Sequence, residues 1–401
     1  MGKKRDRRVT PSSNKGGEQR VELGDSASSN RRLAIIFVLF FVVSPAISVL
    51  VYRIKYAATT NPPDSYVFQR GLVKADVDFQ EILAENSKVS ENTSHWHYTY
   101  PVLAYITPCQ GAGLILEGRH NADVGWISEL RRSGDAWVLP RVVLEAFPVE
   151  LLTRKKQRDK AIKLIVTECK DMGYDGIVLE AWSRWAAYGI LHDPEMRNLA
   201  LQFIKQLGHA LHSLSSARND KQQLQLVFVI GPPHSDKLQK HDFGPEDLQS
   251  LSNAVDGFSL MTYDFSSPQN PGPNAPLKWI RSTLQLILRP TGNSAQGPAH
   301  KIFLGINFYG NDFVLAEGLG GGAITGRDYL SLLEKHRPLL QWEKNSGEHL
   351  FFYSNDDNIK HAVFYPSLLS ISMRLEEARS WGCGISIWEI GQGLDYFFDL
   401  L

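Results

Sequence analysis

The chain has 401 residues, 43% of them hydrophobic, and 43 Lys plus Arg balance 43 Asp plus Glu. That length and apolar content suffice for one large core, and the zero net charge argues against a nucleic-acid partner. Three cysteines, Cys109, Cys169 and Cys383, are too few for a disulfide scaffold, and no Cys/His spacing or His-Glu-x-x-His run points to a metal.

Charge is unevenly placed. Residues 1–32 carry nine basic and four acidic side chains among many Ser and Gly, leaving 34 basic and 39 acidic beyond them. This segment reads as a disordered basic tail on the cytosolic side. Leu33 to Tyr52 is a run of twenty residues without a charge, preceded by Arg31 and Arg32. Such a run spans a hydrocarbon layer about 30 Å thick, and the positive charge ahead of it favours a cytosolic N-terminus. The expectation is a transmembrane signal anchor over 33–52, with everything after it lumenal or extracellular; a cleaved signal peptide fits the long polar leader less well. Residues 53–100 read as a lumenal stem. It holds the sequon Asn92-Thr93-Ser94, so Asn92 is the expected glycosylation site.

From residue 101 the pattern alternates. Strand-like runs occur at Val102 to Thr107, Trp137 to Leu144, Gly176 to Ala181, Leu226 to Gly231, Gly257 to Tyr263, Lys301 to Asn307 and Gly384 to Trp388. Helical patterns at Lys156 to Met172, Pro194 to Ser213 and Leu277 to Leu288 separate them. This predicts an α/β fold with a parallel sheet and right-handed crossovers. Only seven strands are clear. Between Pro108 and Glu117 there is room for a stunted second strand at Leu114 to Leu116, or else a segment is missing and the sheet is breached between strands one and three. Between Phe308 and Tyr365 a small α+β insertion is expected, with a hairpin formed by His349 to Tyr353 and His361 to Tyr365.

The run Tyr174-Asp175-Gly176-Ile177-Val178-Leu179-Glu180-Ala181-Trp182 resembles the signature strand of glycoside hydrolase family 18, the chitinases. Leu260-Met261-Thr262-Tyr263-Asp264 is similar to the family's sixth strand. Val102 to Pro108, Gly305 to Gly310 and Gly384 to Glu389 are similar to its first, seventh and eighth. The resemblance implies a (β/α)8 TIM barrel over 101–401. Residues 256–264, 270–276 and 387–397 further resemble a branch of chitinase domain-containing, or stabilin-interacting chitinase-like, proteins, regarded as saccharide binders that lack the catalytic Glu. Aligned on Asp175 and Gly176, the family's downstream acids fall on Val178, Glu180 and Trp182, so an indole stands at the position of the proton donor.

Strand alternation puts Val178, Glu180 and Trp182 on one face and Ile177, Leu179 and Ala181 on the other. The implied site at the carboxyl ends of the strands comprises Tyr105, Glu180, Trp182, Tyr263, Asp264, Asn307, Tyr309 and Trp388, with aromatic faces for the apolar surfaces of sugar rings. The expected function is saccharide binding in the secretory pathway without hydrolysis and without a cofactor. The ligands are N-acetylglucosamine-containing oligosaccharides, with a protein receptor as a further partner. The alternative is a hydrolase acting on chitin or related glycans with Glu180 as its acid, or with a carboxylate from elsewhere such as Glu145.

Overall fold

The computed structural model describes residues 97–98, 104–109, 113–133, 137–216, 219–233, 235–289, 298–316 and 320–401. The chain divides into two units, Met1–Pro63 and Asp64–Leu401, and all described residues belong to the second. The tail at 1–32, the apolar run at 33–52 and Asn92 lie outside the described residues. Among the described residues no helix is long and apolar enough to cross a membrane.

The principal sheet has eight strands. They are β1 (Ala104–Cys109), β2 (Gly113–Glu117), β3 (Arg141–Leu144), β4 (Gly176–Glu180), β5 (Gln225–Ile230), β6 (Gly257–Leu260), β7 (Ile302–Asn307) and, after an insertion, β13 (Gly384–Trp388). Their spatial order is β13-β7-β6-β5-β4-β3-β1-β2. All pairings are parallel except β1 with β2. The crossover helices include α1 (Lys155–Met172), α2 (Pro194–His212) and α3 (Leu277–Ile287). In α1 the buried residues Ala161, Ile165 and Cys169 recur every fourth position, and the helix stops at Gly173, whose φ of 63° suits a residue without Cβ.

The breach expected between strands one and three is not there. β1 pairs directly with β3, Ala104 opposite Val142, and the short segment folds back as an antiparallel hairpin with Cys109 opposite Gly113. Eight residues cannot supply a crossover helix, so reversal is the arrangement open to them. The sheet's two edges are therefore β2 and β13; among the described residues no pairing joins them, so the closed parallel ring expected of a (β/α)8 barrel is left incomplete at this seam, with β2 antiparallel. The run expected as one strand from Trp137 to Leu144 is interrupted, since Pro140 has no N–H to give a ladder.

Alternation is respected along the central strands. Val142, Leu144, Ile177, Leu179, Leu226, Phe228, Phe258, Leu260, Ile302 and Leu304 face the helices and form the main core. Val178, Val227 and Val229, with Phe303 against them, fill the lumen. Gly257 and Gly384 make room for that phenyl ring: a Cβ on either would lie within 2.8 Å of it.

The insertion after β7 carries a five-stranded antiparallel sheet. Its strands are β8 (Gly310–Val314), β9 (Gly321–Ile324), β10 (Gln341–Glu343), β11 (Glu348–Ser354) and β12 (Lys360–Tyr365), in the order β9-β8-β12-β11-β10. The expected hairpin is present as β11 and β12, His349 opposite Tyr365. A helix, Gly326–His336, packs on this sheet through Tyr329, which stacks on Tyr365 at 4.2 Å between ring centroids.

Candidate functional site

The Asp-Gly pair that opens β4 is structural. Asp175 is buried at the amino end of the strand, where it accepts from the Val138 amide at 2.9 Å and the Ser216 hydroxyl at 2.9 Å. Gly176 has φ 151°, and a Cβ there would lie 2.1 Å from the carbonyl oxygen of Gln225 on β5. The pair thus fixes the register of β4, which carries Glu180 out to the carboxyl end.

Glu180 meets Arg141. Arg141 opens β3 in register with Val178, and Val143 is in register with Glu180, so all four side chains lie on the lumen face. Arg141 Nε donates to Glu180 Oε2 at 2.6 Å, and a second guanidinium nitrogen reaches the same oxygen. The guanidinium also lies over Trp388 at 5.0 Å from the ring centroid. One side chain therefore ties the start of β3 to the ends of β4 and β13.

The other wall is built by β6 and β7. A Cβ on Gly305 would sit 2.9 Å from the Tyr263 ring, so that glycine lets the phenol in. Tyr263 and Tyr309 meet edge to face at 6.3 Å. The Tyr309 hydroxyl donates to Asp264, and Asn307 Nδ2 donates to the Tyr309 carbonyl at 2.8 Å. Asn307 is also the register partner of Trp388. Asp264 adopts a left-handed conformation, φ 59°, which Asp tolerates better than most residues, and its amide donates to Asn274 Oδ1 at 2.7 Å. Asn274 is fixed in turn by Glu348, which accepts from the amides of Asn274 and Ala275 and pairs with the buried Arg374. Burial pushes the Glu348 carboxyl up and the Arg374 guanidinium down, each opposed by the partner's charge.

Burial also raises both tyrosine phenols well above their usual range. The charge of Asp264 adds to this for Tyr263, and the hydrogen bond to Asp264 adds for Tyr309. The charges of Glu180 and Arg141 act on Tyr263 as well, in opposite directions, which places the two halves of the site within electrostatic reach.

Glu180, Tyr263, Asp264, Asn307, Tyr309 and Trp388 are thus brought together. Trp182 is not. The chain leaves the strand at Ala181 (φ −150°, ψ −36°), and Trp182 begins a short helix, Trp182–Ala187. Its ring is 2% exposed, packs edge-on against Phe243 at 5.1 Å and Phe228 at 6.3 Å, and lies under Arg197. Its indole N–H donates to the His241 carbonyl at 3.1 Å. The shared face expected for Val178, Glu180 and Trp182 ends with the strand, because the helical turn swings the indole into the apolar layer outside the sheet, where it buries more surface. Trp182 has no open face for a sugar.

Tyr105 is paired with Val143 and Glu117 through its backbone, and its side chain is outside what is described. Glu145, just beyond β3, lies 3.4 Å from Arg184. Among the described residues no three His, Cys, Asp or Glu side chains are placed to hold a metal ion. Sequence reading missed Arg141, Asn274, Glu348 and Arg374. Arg141 left a signal: it is the one charge in the apolar run Trp137 to Leu144.

The family model of glycosyl hydrolases family 18 matches residues 147–393. An uncharacterized glycosylase of Bacillus subtilis, YvbX, is 24% identical over 250 residues, 62% of this chain and 66% of that protein, so the chain spans just under two thirds of that relative. The crystal structure of a chitinase from Chromobacterium violaceum superposes with a TM-score of 0.60 at 21% identity, over 79% of this chain and 93% of the other. A family 18 chitinase variant from Cycas revoluta, solved in complex with (GlcNAc)4, gives 0.57 at 16%, over 77% and 93%. At such identities the structural likeness establishes the shared fold.

Proposed function

Since this chain belongs to family 18 of the glycosyl hydrolases, we propose that it is a chitinase-like saccharide-binding protein that holds an N-acetylglucosamine-containing oligosaccharide at the barrel mouth without cleaving it. The observation that carries this reading is the engagement of Glu180 by Arg141. A general acid must present a proton to the glycosidic oxygen. The Glu180 carboxylate instead accepts hydrogen bonds from Arg141, and two residues on, where the family places its acid, the side chain is an indole buried on the far side of the wall. Losing a positioned acid costs on the order of a hundred- to ten-thousandfold in rate.

The ligand class draws support from the (GlcNAc)4 bound by the Cycas revoluta relative, and from the half-open Trp388 ring, whose register partner is Asn307. The chitinase domain-containing branch, with the barrel lumenal behind an anchor at 33–52, a glycan on Asn92 and a protein receptor as second partner, completes the proposal. The rival reading, hydrolysis with Glu180 as acid, is favoured by its position as the lumenal carboxylate ending β4. Glu180→Gln separates the two in an assay of chitooligosaccharide binding and product release. The binding reading expects no product from either protein and retained binding by the variant; product from the parent that vanishes in the variant would establish the rival.

A further inference from the structure

We propose that Arg141 is a specificity-determining residue of this cleft, an internal occupant of the Trp388 floor that a saccharide must displace before a pyranose ring can stack there. The proposal rests on the saccharide-binding reading above and goes beyond it by assigning a residue that competes with the ligand.

A guanidinium in a lumen otherwise filled by Val178, Val227, Val229 and Phe303 needs partners. It finds two, one on the adjacent strand β4 and one on β13 at the far edge of the sheet. Glu180 on β4 takes its N–H groups, and the indole of Trp388 on β13 takes its face at 5.0 Å. A cation and a sugar ring can both be held against an indole's π face, so on the face that Arg141 covers they exclude one another. The contact is also breakable. The Arg141 and Glu180 side chains keep 21% and 22% of their exposure, and Trp388 keeps 36%, so water can take over the partners when Arg141 moves. A cation–aromatic contact of this kind biases the closed arrangement by roughly two- to thirtyfold. The apparent dissociation constant for a ligand that needs the open form is weakened by the same factor.

The lock makes a claim a merely structural arginine would not. Binding of a neutral sugar has no ordinary reason to depend on salt, but here salt weakly screens the partly exposed Arg141–Glu180 pair and should shift the balance slightly toward the open form.

The test is calorimetric titration of chitotetraose, a neutral oligomer, into the full chain and its Arg141→Ala variant at low and high salt. The lock expects the variant to bind roughly two- to thirtyfold more tightly and to lose the salt-dependent tightening of the parent. Unchanged or weaker binding by a variant with native near-ultraviolet circular dichroism overturns it. Should Arg141→Ala not fold, Arg141→Gln keeps most of the stem and serves in its place. Should neither parent nor variant bind, the saccharide reading fails separately, and acrylamide quenching decides the lock. The contribution of Trp388, taken as the difference from a Trp388→Phe counterpart, rises on removing Arg141 if the lock exists. It stays level if the lock does not.

Discussion

Glu180 and Trp182 are two residues apart and belong to different sides of the sheet wall. One faces the lumen and its arginine; the other is sealed among Phe228 and Phe243. Replacing Trp182 by Ala should therefore act on stability rather than on sugar. A loss of about 3–5 kcal/mol is expected from the emptied space, with chitooligosaccharide affinity unchanged once the protein is folded. Denaturant unfolding and calorimetry on the same sample check both halves. The proposal that the acid is absent rests on the resemblance aligned on Asp175 and Gly176, which sets an indole at the donor position. Sequence reading placed the indole wrongly, because period-two alternation holds only while the strand lasts, and nothing in Glu180-Ala181-Trp182 announces the helical turn.

Tyr309 and Tyr263 supply a test by pH. Their phenols are raised by burial, and by Asp264, so the folded protein holds these protons to higher pH than the unfolded chain does. Above the ordinary tyrosine value of about 10 the unfolded state binds fewer protons, so the stability these phenols contribute is fully kept below about 10 and is lost as pH rises from there through the folded values. Alkaline titration followed by tyrosinate absorbance should show late ionisation that coincides with unfolding, and Tyr309→Phe should remove part of that late step. Early, reversible ionisation of every tyrosine would contradict the packing described.

At the scale of elements, the insertion reaches the site through Glu348 on β11. Its carboxylate holds the Asn274–Ala275 backbone, and Asn274 holds the amide of Asp264. Arg374, from helix Leu368–Trp381, completes the support by donating to Glu348 and to the carbonyls of Ala275, Ser346, Gly347 and Ser370. Arg374→Met leaves a buried carboxylate without its counter-charge and should cost about 3–5 kcal/mol. Because it loosens the Asp264 turn, it should also weaken chitooligosaccharide binding, which thermal unfolding and titration together can read. None of this was legible in the sequence. The hydrogen bonds of this support span up to 99 positions, and only the folded insertion brings the residues together. Only its hairpin, β11 and β12, could be read, since His349 to Tyr353 and His361 to Tyr365 are aromatic runs around a polar turn.

For the whole molecule, the alternating elements from residue 101 onward were legible because apolar periodicity changes from two to near four along the chain. The order of strands at one edge was not. Hydrophobic pattern says that Leu114 to Leu116 wants a sheet, but not on which side of β1, nor in which direction. The hairpin leaves β2 and β13 as edges, and β13, unlike β4, is half-open along its length. Amide hydrogen exchange should accordingly be faster in β2 and β13 than in β4 and β5, by the difference between local opening and global unfolding. Equal protection across all eight strands would mean that a further pairing closes the sheet.

The central claim, that this barrel mouth retains a glycan and does not cut it, is tested most directly by incubating the full chain with chitotetraose while heat of binding and chain length of the sugar are followed in one experiment. Saturable binding with the tetrasaccharide recovered intact is the expected result; shortened products that accumulate with time and disappear in Glu180→Gln would contradict it.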